Sequence, residues 1–217
     1  MTKPEDQVTE PGRHAPRVRL LPKSRLDAFT DGVLAIVITL LVLELEVPEE
    51  ATELLAALGE EWASYLGYIV SFVFVGGIWL AHVDLTRFIK RSDSVFMRLN
   101  LVMLLFVSFL PFTTNLAATH LTDAGERVAV VIFGLDLLLA SLMMSALAAY
   151  VARHRDLVAD EVDTEEARAF VRRRWVGVVV MGAATAIGLI APNIAVALYL
   201  FATLLFIVEP LVRLQRS

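Results

Sequence analysis

Six long apolar runs constrain this chain more than any other feature of its sequence. A helix needs about 20 apolar residues to cross a bilayer core of roughly 30 Å. Hydrophobic residues make up 57% of the chain, against about 45–50% in a typical soluble domain. We therefore predict an all-α integral membrane protein with six transmembrane helices per subunit. The predicted helices cover residues 26–45, 62–85, 95–116, 128–151, 174–191 and 194–208.

The basic residues are sorted to one side of these predicted helices. All of the 19 Lys and Arg residues except Arg127 fall in or beside four segments, which are the two terminal segments and the second and fourth loops. Cytoplasmic segments of membrane proteins carry an excess of Lys and Arg. We therefore predict that both termini are cytoplasmic. A basic cytoplasmic arm over residues 1–24 would precede a six-helix transmembrane domain over residues 25–217.

Three polar side chains fall at one depth in the predicted membrane region. Asp31, His82 and Asn100 each lie near the cytoplasmic end of their helices. A carboxylate, an imidazole and an amide at one level can satisfy one another by hydrogen bonding. We predict that they hold the first helix against the second and third. The alternative is that each merely lies at the membrane interface, where polar groups are tolerated.

A fourth polar side chain, Asp136, lies about two turns into the fourth predicted helix from the outside. Ionisable groups inside membrane helices usually face protein or water. We expect that Asp136 either faces a cavity or pairs with a hydroxyl group such as that of Ser108 or Thr185.

The sequence offers no support for enzymatic chemistry. The chain has no cysteine, and its four histidines, at positions 14, 82, 120 and 154, are dispersed over different predicted elements. No nucleophile–base pair, phosphate-binding loop or cluster of metal ligands is recognisable. We therefore predict that the protein is not an enzyme, that it needs no cofactor and that it binds no nucleic acid.

The first predicted helix contains a distinctive motif. It opens with Arg25, continues with Phe29-Thr30-Asp31 and runs through apolar residues to Leu43-Glu44. This segment resembles the first helix of the bacterial relatives of the endosomal/lysosomal potassium channel family, transmembrane protein 175. That family has Phe-Ser-Asp where this chain has Phe-Thr-Asp, so a hydroxyl is kept and a methyl group is added.

Two further patterns carry the same resemblance. Trp79 followed by His82 is similar to the second helix of the family, although Val83 stands where the family often has another His. Asn100 followed by Leu110-Pro111-Phe112 is similar to its third helix. The resemblance covers residues 25–116 well, and the rest of the chain only by the number of predicted spans and their topology.

The resemblance implies a potassium-selective channel in which four copies of a six-helix subunit surround a pore. The first helices would line that pore. Selectivity in the family comes from rings of side chains, which would fall here at Ile36, Thr39 or Leu40, and Leu43. The resemblance also implies a structural polar network, which would contain Arg25, Phe29, Thr30, Asp31, His82 and Asn100.

The resemblance also implies the surroundings of the protein. The permeant ion would be K⁺, and the partners would be monovalent cations, the lipid bilayer and three further copies of the chain in a homotetramer. The location would be the plasma membrane of a bacterium.

The helical period is compatible with this pore assignment. Residues 36, 40 and 43 lie on one helix face, with residue 39 adjacent. Four copies would stack apolar rings about 5–6 Å apart, and an apolar constriction can gate by dewetting. Without the resemblance, the same face is more typical of contact with lipid or of a packed core.

The first outer loop is strongly acidic and allows two interpretations. From Glu44 to Glu61 it contains Glu residues but no Lys or Arg. It is either a solvated loop with a short amphipathic helix around Leu54, Leu55 and Leu58, or an acidic vestibule that concentrates cations at a pore mouth. The two interpretations are compatible.

Two other functions stay open at this point. Asp31, His82 and Asp136 could form a relay in a proton-coupled carrier or a proton leak, because such relays use chains of Asp and His. The lack of an inverted repeat counts against a carrier. A non-conducting, lipid-interacting assembly is the third hypothesis.

Overall fold

The computed structural model describes residues 23–45, 47–48, 53–154, 156–159 and 164–214, and nearly all of these residues are helical. The predicted arm over residues 1–24 lies almost entirely outside the described residues, as do Glu46, Glu49 and Glu50 of the acidic loop. The described helices are α1 (Lys23–Leu41), α2 (Leu54–Glu60), α3 (Trp62–Arg87), α4 (Ser94–His120), α5 (Glu126–Arg153), α6 (Thr164–Gly188) and α7 (Pro192–Leu214).

Four of the described helices are long and apolar enough to cross a membrane. They are α3, α4, α5 and α1 together with the 3₁₀ turn Val42–Glu44 that extends it. The first part of α7, Pro192–Leu204, is a shorter apolar stretch. α6 carries several charged residues in its first turns and becomes apolar from Trp175 onwards. The prediction of an all-α protein with membrane-spanning helices is therefore confirmed.

Helices α3 to α7 form a closed bundle, and α1 lies against its outside. α4 packs on α5, α5 on α6 and α6 on α7, while α3 contacts both α4 and α7. α1 contacts α3 and α4. Its buried residues are three or four positions apart and therefore share one helical face. They are Leu26, Thr30, Leu34, Val37 and Leu41.

The ends of α3, α4 and α5 on the predicted cytoplasmic side are tied together by short polar contacts. The Asp93 side chain caps α4 by accepting hydrogen bonds from the backbone N–H groups of Val95 at 3.1 Å and Phe96 at 2.8 Å. Its other oxygen accepts from Tyr150 Oη of α5 at 2.6 Å. The loop before α4 also pairs with the loop after α5, since the Lys90 N–H donates to the Leu157 carbonyl at 2.9 Å.

The hairpin between α6 and α7 differs in detail from its predicted form. A turn at Pro192-Asn193 is expected from the sequence, but α7 begins at Pro192 and the turn comes before it, at Leu189 and Ile190. Proline suits the first position of a helix because the N–H that it lacks would have no partner there. Pro192 therefore starts α7 instead of forming the turn.

Small residues allow α5, α6 and α7 to approach closely. Of the small residues expected to mark a packing face of α6, Ala184 and Gly188 are buried, whereas Ala186 is exposed. The closest approach involves Gly134 of α5: a Cβ at this position would overlap the Tyr199 hydroxyl and lie 2.8 Å from Thr185 Oγ1. Tyr199 is itself fully buried. Gly134 therefore provides the space that Tyr199 occupies.

We predict that Gly134→Ala lowers the free energy of unfolding by about 1–3 kcal/mol, because the added methyl group overpacks the site. The measurement is unfolding of the purified protein in detergent micelles. Gly182→Ala is the matched control, because a Cβ at Gly182 would lie 3.8 Å from its nearest neighbour, Leu138 Cδ1. Equal stability of the two variants would contradict this account of Gly134.

Candidate functional site

One face of α1 is apolar and exposed in the subunit. Ile36 is 59% exposed, Leu40 is 41% exposed and Leu43, in the 3₁₀ turn, is 74% exposed. Thr39 lies on the same exposed side, and its hydroxyl donates to the Ile36 carbonyl at 2.7 Å. The four residues predicted to form rings are therefore all accessible from outside the subunit.

The orientation of this face follows from the buried face of α1. Successive helical residues are rotated by about 100°, so Ile36 and Leu43 point away from Leu34 and Leu41. Leu34 and Leu41 are buried against the rest of the subunit. Rotating α1 about its axis would expose these two side chains to solvent or lipid and would bury the apolar face instead.

A buried chain of hydrogen bonds also fixes the rotation of α1. Asn100 Nδ2 of α4 donates to Thr30 Oγ1 of α1 at 2.8 Å. Asn100 Oδ1 lies 3.1 Å from His82 Nε2 of α3. An amide oxygen only accepts hydrogen bonds, so His82 carries a proton on Nε2 in this contact. All three side chains are buried, and one amide therefore joins three helices.

The role expected for Asp31 is corrected by this geometry. Asp31 is exposed, and its Oδ1 accepts a hydrogen bond from Trp79 Nε1 at 3.0 Å. Thr30 instead takes the position at Asn100 that the sequence suggests for the carboxylate. Adjacent residues on a helix point about 100° apart, so only one of the two can face α4.

Arg25 and Phe29 also lie away from the buried chain. Both are exposed on α1, and within the described residues neither forms a hydrogen bond with Thr30, His82 or Asn100. The first turn of α1 is instead held by Lys23, whose Nζ donates to the Thr86 carbonyl near the end of α3. The predicted network of six residues is thus reduced to a buried chain of three residues and a separate contact between Asp31 and Trp79.

A second polar centre lies on the other side of α4, where sequence reasoning named the wrong partners. Thr113 Oγ1 of α4 lies within hydrogen-bond distance, 2.9 Å, of Asp136 Oδ2 of α5. Of the expected partners, Ser108 donates to the Leu105 carbonyl and Thr185 to the Met181 carbonyl. The sequence feature that points to Thr113 as a polar contact is its position just after Pro111 in a membrane helix.

The predicted outer end of the subunit is acidic in its described part. Glu60 ends the short helix α2, Glu53 and Glu61 flank it, and none of the residues of α2 is buried. Between α4 and α5, Asp123 Oδ2 lies 2.7 Å from His120 Nδ1, and its Oδ1 accepts from the Gly125 N–H. The hydrogen bond to His120, followed by the one from Gly125, lowers the pKa of Asp123.

These features define a multi-pass helical membrane protein with a channel-like fold. Residues 25–111 match the family described as the endosomal/lysosomal potassium channel TMEM175. The chain is also 37% identical over 148 residues to a potassium channel of Streptomyces collinus, an alignment that covers 67% of this chain and 72% of the other. The chain therefore belongs to the TMEM175 family.

Two further comparisons extend this result. The crystal structure of a lysosomal potassium-selective channel TMEM175 homolog from Chamaesiphon minutus matches with a TM-score of 0.78 and 29% identity, covering 86% of this chain and 96% of the other. The endosomal/lysosomal proton channel TMEM175 of Mus musculus is 38% identical over 130 residues, which cover 54% of this chain and 25% of the mouse protein. The family is one of ion channels and not a class of enzymes.

We predict that Thr30→Val destabilises the subunit by about 1–3 kcal/mol, because Asn100 loses its acceptor in a buried site. Thr30→Ser is the matched variant, since it keeps the hydroxyl and removes only the methyl group. Valine buries more apolar surface than serine, so a lower stability of Thr30→Val cannot come from lost packing area. Unfolding of both variants in detergent is the measurement, and a Thr30→Val protein as stable as Thr30→Ser would contradict the role of the hydrogen bond.

Proposed function

We propose that the chain is the subunit of a potassium-selective ion channel, with a pore lined by α1 of a homotetramer. The single observation that carries the proposal is the uncovered apolar face of α1, on a helix whose opposite face is fixed by buried contacts. The names of the bacterial relatives support potassium as the permeant ion.

The proposed filter consists of rings of Ile36, Leu40 and Leu43, with Thr39 beside them. An apolar ring offers a permeating ion no replacement for its water, so conduction through it depends on the ion's hydration and on the width of the ring. Potassium sheds water more readily than sodium and is therefore favoured at a narrow ring. Because the Thr39 hydroxyl donates its proton to the Ile36 carbonyl, its oxygen is left as an acceptor that can face a cation.

The proposed topology has six spans, with α6 and α7 as the fifth and sixth and both termini in the cytoplasm. The distribution of Lys and Arg supports this orientation, and the apolar second half of α6 supports α6 as the fifth span. The location is the plasma membrane of a bacterium. The acidic outer segment around α2 would concentrate monovalent cations at the outer mouth of the pore.

We predict that Ile36→Asn reduces the preference for potassium over sodium, because an amide in the ring wets the constriction and lowers the penalty for hydrated ions. The measurement is the reversal potential of the reconstituted protein in planar bilayers, with potassium on one side and sodium on the other. Val179→Asn is the matched control: Val179 is 67% exposed, and it lies on α6, which does not contact α1 within the described residues.

An unchanged reversal potential in Ile36→Asn would remove Ile36 from the filter. A shift of equal size in Val179→Asn would instead indicate a general effect of placing asparagine on the outer surface.

We predict that Leu43→Cys forms disulfide-linked dimers on mild oxidation, because a ring brings side chains of neighbouring subunits close together at the axis. The natural chain has no cysteine, so a single substitution gives one defined thiol per subunit. Val179→Cys, on the α6 surface, is the control and should stay monomeric on denaturing gels. Cross-linking through Val179 but not through Leu43 would contradict a pore lined by α1, whatever ion is conducted.

A proton leak is the alternative function, and the similarity to the mouse protein, which is called a proton channel, favours it. The three groups considered for a relay have separate hydrogen-bond partners: His82 contacts Asn100, Asp136 contacts Thr113 and Asp31 contacts Trp79. A pH gradient at equal potassium concentrations separates the two functions in the same bilayers. A reversal potential that follows the pH gradient would favour proton flow, and a reversal potential of zero would favour potassium.

A further inference from the structure

Asp136 is the only buried aspartate among the described residues. Its side chain is 4% exposed, and it lies inside α5, well away from either end of the helix. Oδ2 is 2.9 Å from Thr113 Oγ1, whereas Oδ1 is buried and has no hydrogen-bond partner in the described part of the chain. A buried polar oxygen without a partner is rare in folded proteins and calls for an explanation.

No cationic side chain among the described residues forms an ion pair with Asp136. α3, α4, α6 and α7 pack against α5, and α4 faces the carboxyl group with Thr113. Among the described side chains of the other three helices, the ionisable groups that are at least partly buried are Tyr65, Tyr68, His82, Asp84, Arg173, Arg174 and Tyr199. Arg173 donates from Nε to the Ala169 carbonyl of its own helix. His82 contacts Asn100, Arg174 lies over the Phe170 ring of its own helix at 5.7 Å, and Tyr199 contacts the Val130 carbonyl.

Asp136 lies at the end of a chain of polar groups that crosses α4 and consists of three hydroxyl groups and one backbone carbonyl. Ser71 Oγ of α3 is 2.6 Å from Thr114 Oγ1, and Thr114 donates to the Leu110 carbonyl at 2.7 Å. Thr113 Oγ1 lies 3.2 Å from the same carbonyl and 2.9 Å from Asp136 Oδ2. The Thr113 hydroxyl has two acceptors within reach but only one proton, so it donates to one of them at a time.

Two arrangements of protons fit these distances equally well. With an ionised Asp136, the Thr113 hydroxyl donates to the carboxylate. With a neutral Asp136, the carboxyl O–H donates to Thr113 Oγ1, and the Thr113 hydroxyl turns to the Leu110 carbonyl. Only hydroxyl hydrogens move between the two arrangements, so the site accepts or releases a proton without displacing a heavy atom.

Oδ1 of Asp136, which has no hydrogen-bond partner among the described residues, decides between the two arrangements of protons. If Asp136 is ionised, part of its negative charge lies on Oδ1, in a buried position without a donor. If it is neutral, Oδ1 is an uncharged carbonyl oxygen, which is far less costly to bury. We infer that Asp136 is a proton-binding site, occupied at neutral pH in the folded bundle, and that Thr113 reverses its hydrogen bond when the proton binds or leaves. The proton is transferred from a hydronium ion of the surrounding water: the hydronium O–H bond breaks, the Oδ2–H bond of Asp136 forms, and a water molecule is left.

A proton held by Asp136 in the folded protein makes the free energy of unfolding depend on pH in one direction. Aspartate in an unfolded chain ionises near pH 4, so it is charged at neutral pH. The folded protein then binds one proton more than the unfolded chain. Its stability therefore falls as the pH rises, and the unfolding constant increases by up to about tenfold per pH unit until the folded site loses its proton.

The direct test is infrared spectroscopy of the purified full-length protein at pH 7, with aspartate labelled by carbon-13. Exposed aspartates are ionised at this pH, so the labelled carbonyl band of a protonated acid reports a buried aspartate. We expect this band in the natural protein and in Asp84→Asn, and its loss in Asp136→Asn. Asp84 is the control because its side chain is partly exposed, next to Arg87. A natural protein without the band would overturn the inference, even if Asp136→Asn failed to fold.

The second measurement is the unfolding equilibrium in mixed detergent micelles between pH 5 and pH 8. Asp136→Asn should lose the part of the pH dependence that this proton causes, whereas Asp84→Asn should keep it. Thr113→Val keeps the acid and removes its partner, so we expect the infrared band to persist but to shift in frequency. Equal pH dependence in the natural protein and Asp136→Asn, or an unshifted band in Thr113→Val, would contradict the proposed site. The outcome does not depend on whether the protein conducts ions.

Discussion

The contact of Asn100 with both Thr30 and His82 is the interaction on which the arrangement of α1 depends. α1 lies outside the closed bundle of α3 to α7, where the packing of Leu34, Val37 and Leu41 and this hydrogen-bonded contact together hold it against α3 and α4. A buried amide with a donor on one side and an acceptor on the other fits only one register and one rotation. That rotation exposes Ile36, Leu40 and Leu43 together.

The sequence predicts the depth of these polar groups better than their direction. The positions of His82 and Asn100 along their helices follow from counting residues from the predicted membrane boundary, and the two do meet. The choice between Thr30 and Asp31 depends on how α1 is rotated, which is determined by the packing of Leu34, Val37 and Leu41 against α3 and α4. Periodicity in a membrane helix is weak when both faces are apolar. The sequence therefore predicts a contact between Asn100 and Asp31, the more polar residue, whereas the structure has this contact at Thr30.

α4 separates two polar centres, and the sequence places them at different depths. On one side Asn100 faces α1 and α3, and on the other Thr113 faces Asp136 of α5. Pro111 lies between these two positions and leaves the helix without one backbone N–H. Side-chain hydroxyls of Thr113 and Thr114 gather at the Leu110 carbonyl in the same turn. Consecutive residues of a helix point about 100° apart, so Thr113 and Thr114 meet different neighbours, and which of them faces Asp136 depends on the rotation of α4, which a count of residues does not reveal.

An apolar filter makes strong demands on the scaffold that holds it. Rings of charged or carbonyl groups attract an ion over a distance and tolerate small errors in position, whereas apolar rings act only through their width. In the proposed tetramer the width at Ile36 and Leu43 would therefore be determined by contacts made elsewhere, at Thr30 and at the Lys23 contact with α3. Changes at Thr30 would then alter selectivity through geometry, without any change in the chemistry of the ring, and this separates a positioning residue from a filter residue.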